Sequence, residues 1–230
     1  MRWQIDSVLE SAYEPEEQPR TAPAGHSPLA EIQHRVRNHF QIVASLLNLQ
    51  ASRTADAATA EMLRAMQNRV RAIANLHDSS YTIGDFSAVH FGPYLASAVR
   101  ELEAAHGPSP TIETDLSFTD LALDMEQALP LCLIANELLS NAFRHAFPEP
   151  RSGKISATLR YVSSAEAGGE FCEFEISDDG IGLPDGVDLG TAESMGFHIV
   201  RVLARQLRAG LEVKRERGTS IRVRFPLAKT

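Results

Sequence analysis

The chain has 230 residues, 43% of them AVILMFWYC and 23% charged, which is enough apolar content for one large domain or two small ones and excludes disorder over most of its length. No apolar run approaches the roughly 18 to 20 residues that cross a bilayer, and Met1-Arg2-Trp3-Gln4-Ile5-Asp6 lacks the basic and apolar regions of a signal peptide, so a cytoplasmic protein is expected. A net charge of -8 opposes non-specific attraction to nucleic acid or anionic lipid; the two cysteines, Cys132 and Cys172, lack metal-ligand or disulfide spacing and are expected to be packing residues.

Residues 11–28 are rich in Pro, Glu, Ala and Ser, and 1–28 are expected to be a flexible tail, with Trp3, Ile5, Val8 and Leu9 offering a short amphipathic docking segment. From Leu29 to about Arg53, apolar residues recur at Leu29, Ile32, Val36, Phe40, Val43, Leu46 and Leu47, a spacing of three and four that predicts an amphipathic helix. Thr54 and Asp56 supply a turn and a cap. A second helix is predicted from Ala57 to Tyr81 on the stripe Met62, Leu63, Met66, Val70, Ile73 and Leu76. Together they make a hairpin over 29–84. Two helices cannot cover their own apolar stripes, so the hairpin should dock on the rest of the chain or pair with a second copy as a four-helix bundle, which predicts a homodimer. His34, Asn38 and Gln41 fall on the polar face of the first helix, and His39 borders the apolar one.

Past Gly84 helical and extended patterns alternate, which predicts a second domain over 85–230 built as an α/β sandwich. Its predicted elements are a helix Phe91 to His106, a strand Thr111 to Phe118, a helix Asp124 to Phe147 entered by an Asp cap, and strands Lys154 to Val162 and Phe171 to Ser177. A helix Gly196 to Arg208 and a hairpin Leu211 to Phe225 complete it. Three groupings in this domain carry chemistry. Glu137 and Asn141 lie at i and i+4, so both project from one helical face and can meet one metal-nucleotide complex; Arg144, a natural phosphate contact, and His145 extend that face. Asp178-Asp179-Gly180-Ile181-Gly182-Leu183-Pro184 follows a strand, with a carboxylate able to accept from an exocyclic amine and glycines that let backbone approach a flat ligand. In Ser194-Met195-Gly196-Phe197 a glycine opens a helix whose free N–H groups can receive phosphate. Each has a plain structural alternative: a solvated Glu/Asn pair, a tight turn, an ordinary helix start.

Their order changes the weighing. His34-Arg35-Val36-Arg37-Asn38-His39-Phe40-Gln41, continuing through Leu46-Leu47-Asn48-Leu49-Gln50, resembles the phosphoacceptor helix of the HWE-related (HisKA type 2) sensor histidine kinases, and Gln67-Asn68-Arg69-Val70-Arg71-Ala72-Ile73-Ala74 with His77 and Tyr81 resembles their second helix. Asn136-Glu137-Leu138-Leu139-Ser140-Asn141-Ala142-Phe143-Arg144-His145-Ala146-Phe147-Pro148, then the DxGxG loop, Gly196 and Gly218-Thr219, resemble the Bergerat ATP-binding fold of gyrase, heat-shock chaperones, histidine kinases and MutL. The likeness covers about residues 29–227. It implies a histidine kinase that phosphorylates His34 from Mg²⁺-ATP and passes the phosphoryl group to an aspartate of a response-regulator receiver domain.

On that resemblance Asn141 and Glu137 hold Mg²⁺, Glu137 also polarising the attacking group, and Asp178 reads adenine with Thr219 beside it. Gly180 and Gly182 line the base pocket, Gly196 opens the phosphate-binding helix, Arg144 and His145 sit near the phosphates, and Pro184 to Met195 forms a short lid. Glu31, one turn before His34, is the candidate to orient or deprotonate its imidazole, since Arg35 stands where many histidine kinases have an acid. Departures are Met195 and Phe197 where relatives have leucine, His39 where Asn is common, and the missing W-x-E of the narrower branch. A histidine phosphotransferase that relays phosphate between receivers without its own ATP site is the alternative, and it would be expected to have lost the metal and adenine residues. A plain ATPase of the gyrase or anti-sigma kind would not need His34 on such a hairpin. With fewer than about thirty residues left for sensing, input from a separate sensory partner is expected.

Overall fold

The computed structural model describes residues 28–79, 88–106, 112–148, 152–164, 169–183, 195–215 and 217–227. The expected tail, apart from Pro28, the end of the second helix at Tyr81 and the expected lid, apart from Met195, lie outside them. The chain divides into two units between His34 and Arg35. What is described of the first is the opening of helix α1 (Pro28–Arg53), where Glu31, Ile32 and His34 are exposed.

In the second unit α1 continues and turns into α2 (Ala57–Ser79). The connection closes as its polar residues predict: the Thr54 N–H donates to the Gln50 carbonyl at 3.1 Å, and Asp56 caps α2 by accepting from the Thr59 N–H at 2.9 Å and from the Thr59 hydroxyl. Those two hydrogen bonds favour the ionised form and hold the Asp56 carboxyl below its ordinary range. Small residues, Ala44, Ala51 and Ala60, are buried in the hairpin, and Phe40 packs its ring against His77 at 6.3 Å. Arg37 grips Asp78 by both oxygens at 2.9 and 2.8 Å. Val43 and Leu46, counted above in the apolar stripe, are 44% and 56% exposed, alongside Ile42 at 57% and Leu49 at 39%. The hairpin therefore leaves an apolar strip of α1 uncovered in this chain.

The rest is a two-layer sandwich. Strands β2 (Ile112–Phe118), β4 (Gly153–Ser164), β5 (Gly169–Asp178), β6 (Gly210–Lys214) and β7 (Thr219–Pro226) form a five-stranded sheet in the order β2-β4-β5-β7-β6, parallel only between β2 and β4. One sheet face alternates Ile155, Ala157 and Leu159 with Phe174 and Ile176 and with Val223 and Phe225, all buried. Helices α3 (Phe91–His106), α4 (Met125–His145) and α5 (Met195–Gln206) cover it. Two strands of two residues, β1 (Val89–His90) and β3 (Ala122–Leu123), pair antiparallel at the entrance to α3 and α4 and are too short to show a period in the sequence.

Asp124 is the N-cap of α4, its side chain accepting from the Gln127 N–H at 2.7 Å. Cys132 and Cys172 are both fully buried, and burial pushes each thiol up to about 12, as packing residues require. Ala72 and Leu76 of α2 belong to the same buried cluster as the sheet and α4, with Leu76 wholly inaccessible. The second hairpin helix is thus also a core element of the α/β layer. No helix among the described residues is long and apolar enough to cross a membrane.

Candidate functional site

α4 brings Glu137 and Asn141 to one place. Glu137 is 5% exposed, an unusual setting for a carboxylate unless it is paired. Its partner is Arg69 of α2, which donates from Nε to Oε1 at 2.8 Å and from Nη2 to Oε2 at 3.1 Å. The first turn of α5 lies beside them: a Cβ on Gly196 would stand 2.8 Å from Glu137 Oε2 and 3.9 Å from Asn141 Nδ2. A methyl here would have to displace the Glu137 carboxylate, and its absence leaves the positive N-terminal end of α5 next to the Glu137/Asn141 pair.

The second cluster lies at the far end of β5. Asp178 is its last residue and pairs in the ladder with Thr219, the first of β7. Asp178 Oδ1 accepts from the Gly180 N–H at 3.0 Å and the Thr219 N–H at 3.3 Å. Burial pushes this carboxyl above the usual aspartate value, although the two backbone donors pull the other way. Gly180 is pressed against the end of α4, where a Cβ would lie 2.2 Å from the Ala146 carbonyl oxygen, and the Ile181 N–H donates to that oxygen at 2.9 Å. Asp179 anchors the loop on β4, accepting from the Lys154 N–H at 2.6 Å. Gly182 follows, half-buried.

Arg144 and His145 form the exposed last turn of α4. Arg144 turns back on its own helix, donating to Ser140 Oγ at 2.9 Å and to the Ser140 carbonyl at 3.3 Å, and it faces Glu61 of α2 at 3.7 Å. His34 and Glu31 are exposed on α1 in the N-terminal unit, while all the other site residues lie in the second. Asn38 is half-buried, and Gln41 and His39 are exposed.

Hard oxygen donors suit Mg²⁺, which keeps several ligands from water or phosphate. A carboxylate at Glu137 and an amide oxygen at Asn141, with no side chain at 196 to crowd them, fit a phosphate-bound Mg²⁺. They cannot make a cage by themselves, since among the described residues no group of three or more His, Cys, Asp or Glu could hold a metal. Arg69, which already occupies both Glu137 oxygens, is the contact at the candidate site that sequence spacing does not reveal. Its partner lies 68 residues away, and no local pattern signals a pairing at that range.

Residues 31–106 match a family described as histidine kinase, and residues 126–229 match the histidine kinase-, DNA gyrase B- and HSP90-like ATPases. The chain belongs to the histidine kinases. It is 33% identical over 204 residues to the sensor histidine kinase PdtaS of Mycobacterium tuberculosis, covering 87% of this chain and 40% of that one. It is 28% identical over 221 residues to the blue-light-activated histidine kinase 2 of Erythrobacter litoralis, covering 93% of this chain and 61% of the relative. The chain therefore spans between 40% and 61% of the length of these relatives. Among solved structures, the histidine kinase domain of Erythrobacter litoralis EL346 blue-light activated histidine kinase superposes with a TM-score of 0.65 at 28% identity, covering 86% of this chain and 90% of that one. The histidine kinase AdeS of Acinetobacter baumannii shares the fold, with a TM-score of 0.52 at 12% identity. The ATPase family match makes this histidine kinase an ATP-binding protein, and the helical hairpin followed by an α/β sandwich is the architecture of its structural relatives.

Proposed function

We propose that this chain autophosphorylates His34 from Mg²⁺-ATP and passes the phosphoryl group to an aspartate of a response-regulator receiver domain. The observation that carries the ATP half is the convergence of Glu137, Asn141 and the glycine-opened end of α5, with a Gly196 Cβ position only 2.8 Å from the Glu137 carboxylate. Bound Mg²⁺-ATP supplies the phosphoryl group and the cationic charge that offsets its oxygens. The protein supplies placement and fixed charge, the larger part of phosphoryl-transfer catalysis.

Asp178 accepts a hydrogen bond from the adenine amine, with Thr219 beside it and Gly180 and Gly182 forming the floor. Asn141 and Glu137 would hold the Mg²⁺, which would offset phosphate charge, the N–H groups opening α5 would receive phosphate oxygens, and Arg144 and His145 would act at the phosphates' outer side. His34 attacks as a neutral imidazole; a nitrogen–phosphorus bond forms as the terminal phosphorus–oxygen bond breaks, ADP leaves, and Glu31 orients the ring and takes its proton. The uncovered apolar strip of α1 supports a homodimer through the hairpin, and family membership supports a receiver-domain partner.

Incubation with γ-labelled ATP and Mg²⁺ tests the reading: acid-labile label is expected on the wild type and none on His34→Ala. Label that survives in His34→Ala overturns the assignment of the acceptor. Label arriving only from a phosphorylated receiver would make the protein a histidine phosphotransferase.

A further inference from the structure

Helix α2 does more than pair with α1. Its Ala72 carbonyl accepts from the Tyr94 hydroxyl at 3.4 Å and from Cys132 Sγ at 3.5 Å, its Arg69 meets Glu137, and its Glu61 meets Arg144. As α2 is followed from 72 back to 61, its partners on α4 advance from 132 through 137 to 144. The two helices therefore lie side by side and antiparallel, in step along three successive contacts. The charges match in both ionic ones, base against acid and then acid against base. Arg69 and Glu137 are shielded, their side chains 14% and 7% exposed, so their pairing is not a solvated surface contact. The α4 members, Glu137 and Arg144, are the side chains assigned above to the metal and the phosphates.

We propose that α2 is a charge-matched cover of the phosphate end of the ATP site, with Arg69 standing in as the counter-cation of Glu137 and Glu61 as the counter-anion of Arg144. The inference rests on the nucleotide-site reading and adds how that site is controlled. A guanidinium gripping both Glu137 oxygens repels a divalent cation brought to the same carboxylate, and Glu61 repels phosphates brought to Arg144. Docked α2 and a loaded site are thus alternatives, and Mg²⁺-nucleotide binding works against the docking of α2. Ala72 and Leu76 stay in the shared core, so what is released is the Glu61 to Arg69 half of α2, hinged on that buried end.

Calorimetry with a non-hydrolysable ATP analogue, in Mg²⁺ and in EDTA, tests this on the wild type, Arg69→Gln and Glu61→Gln. Arg69→Gln is expected to tighten binding in Mg²⁺ by about tenfold, because the cation no longer meets a guanidinium on the Glu137 oxygens, with the gain absent in EDTA. Glu61→Gln, at a longer and more exposed contact, is expected to tighten it by about twofold. Hydrogen exchange on the wild type gives an independent reading should Arg69→Gln fold poorly: Mg²⁺ and the analogue together should speed exchange of α2 amides over 61–69. Unchanged or weaker binding by Arg69→Gln, or unchanged or slower exchange in α2, overturns the cover while leaving the nucleotide site intact. Absence of Mg²⁺-dependent binding in the wild type overturns the nucleotide-site reading itself, and the cover with it.

Discussion

Asp178 and Glu137 are carboxylates that the fold treats differently: Glu137 has a cation of its own, whereas Asp178 is raised by burial and has only two backbone donors to oppose this. Because its folded value lies above the ordinary one, Asp178 contributes most to stability below the unfolded pKa near 3.8, and that contribution is lost as the pH rises through the folded value. Asp178→Asn keeps an acceptor for the Gly180 and Thr219 N–H groups while removing the charge. Its melting temperature at neutral pH is expected to be at least that of the wild type, with a flatter pH dependence just above 3.8. Nucleotide affinity should fall about ten- to a hundredfold, the worth of a hydrogen bond to a charged group. A lower melting temperature at pH 7 would show that the carboxylate holds the loop together rather than reading a base. Gly196→Ala separates the same two roles. Alanine is the better helix former by about 1 kcal/mol, yet its methyl meets a carboxylate that Arg69 holds by both oxygens. Calorimetry is expected to show weakened nucleotide binding without a matching loss of stability. The placement of the candidate site residues was legible in the sequence because their spacings are local, i and i+4 on α4 and alternate glycines after β5. Arg69 stood in a recognisable motif, but its role was hidden because an ion pair between distant elements leaves no period in the chain.

At the scale of elements, the helices were legible from their stripes and caps, down to Asp56 and Asp124. Which side of each stripe would be covered was not. A helical period shows that one face is apolar without saying what lies against it, so Val43 and Leu46 read like Leu76 although the structure exposes the first two and seals the third. The difference is measurable. Leu76→Ala removes a fully buried side chain from the cluster that α2 shares with α4 and the sheet and should cost about 2–5 kcal/mol. Leu46→Ala should stay within about 0.5 kcal/mol in the monomer. Denaturant unfolding of the Leu76 variant should remain a single transition with a lower midpoint; a separate early transition confined to helical signal would mean that α2 is not part of the α/β core. The β1/β3 pair escaped sequence reading because two residues cannot show alternation.

For the whole molecule, the proposed homodimer would rest on the uncovered strip of α1. Ile42, Val43, Leu46 and Leu49 retain between 39% and 57% of their exposure, and Met62 and Met66 of α2 are 43% and 38% exposed. Burying what remains of the four aliphatic side chains contributes about 1 kcal/mol each, or about 8 kcal/mol over two copies. That is of the same order as the cost of bringing two chains together, so any dimer must also draw on the methionines and has little margin. One charge in the strip should then be decisive: Leu46→Glu places a carboxylate where the partner's aliphatic groups would strip its water. Sedimentation is expected to give a dimer at micromolar concentration for the wild type and a monomer for Leu46→Glu. The variant should keep nucleotide affinity, since Leu46 is exposed on α1 and the binding groups lie on α4, α5 and the β5–β7 edge. A wild type that stays monomeric at high concentration would leave the strip to another protein, and a variant that loses nucleotide binding along with dimerisation would show that the site depends on the second copy.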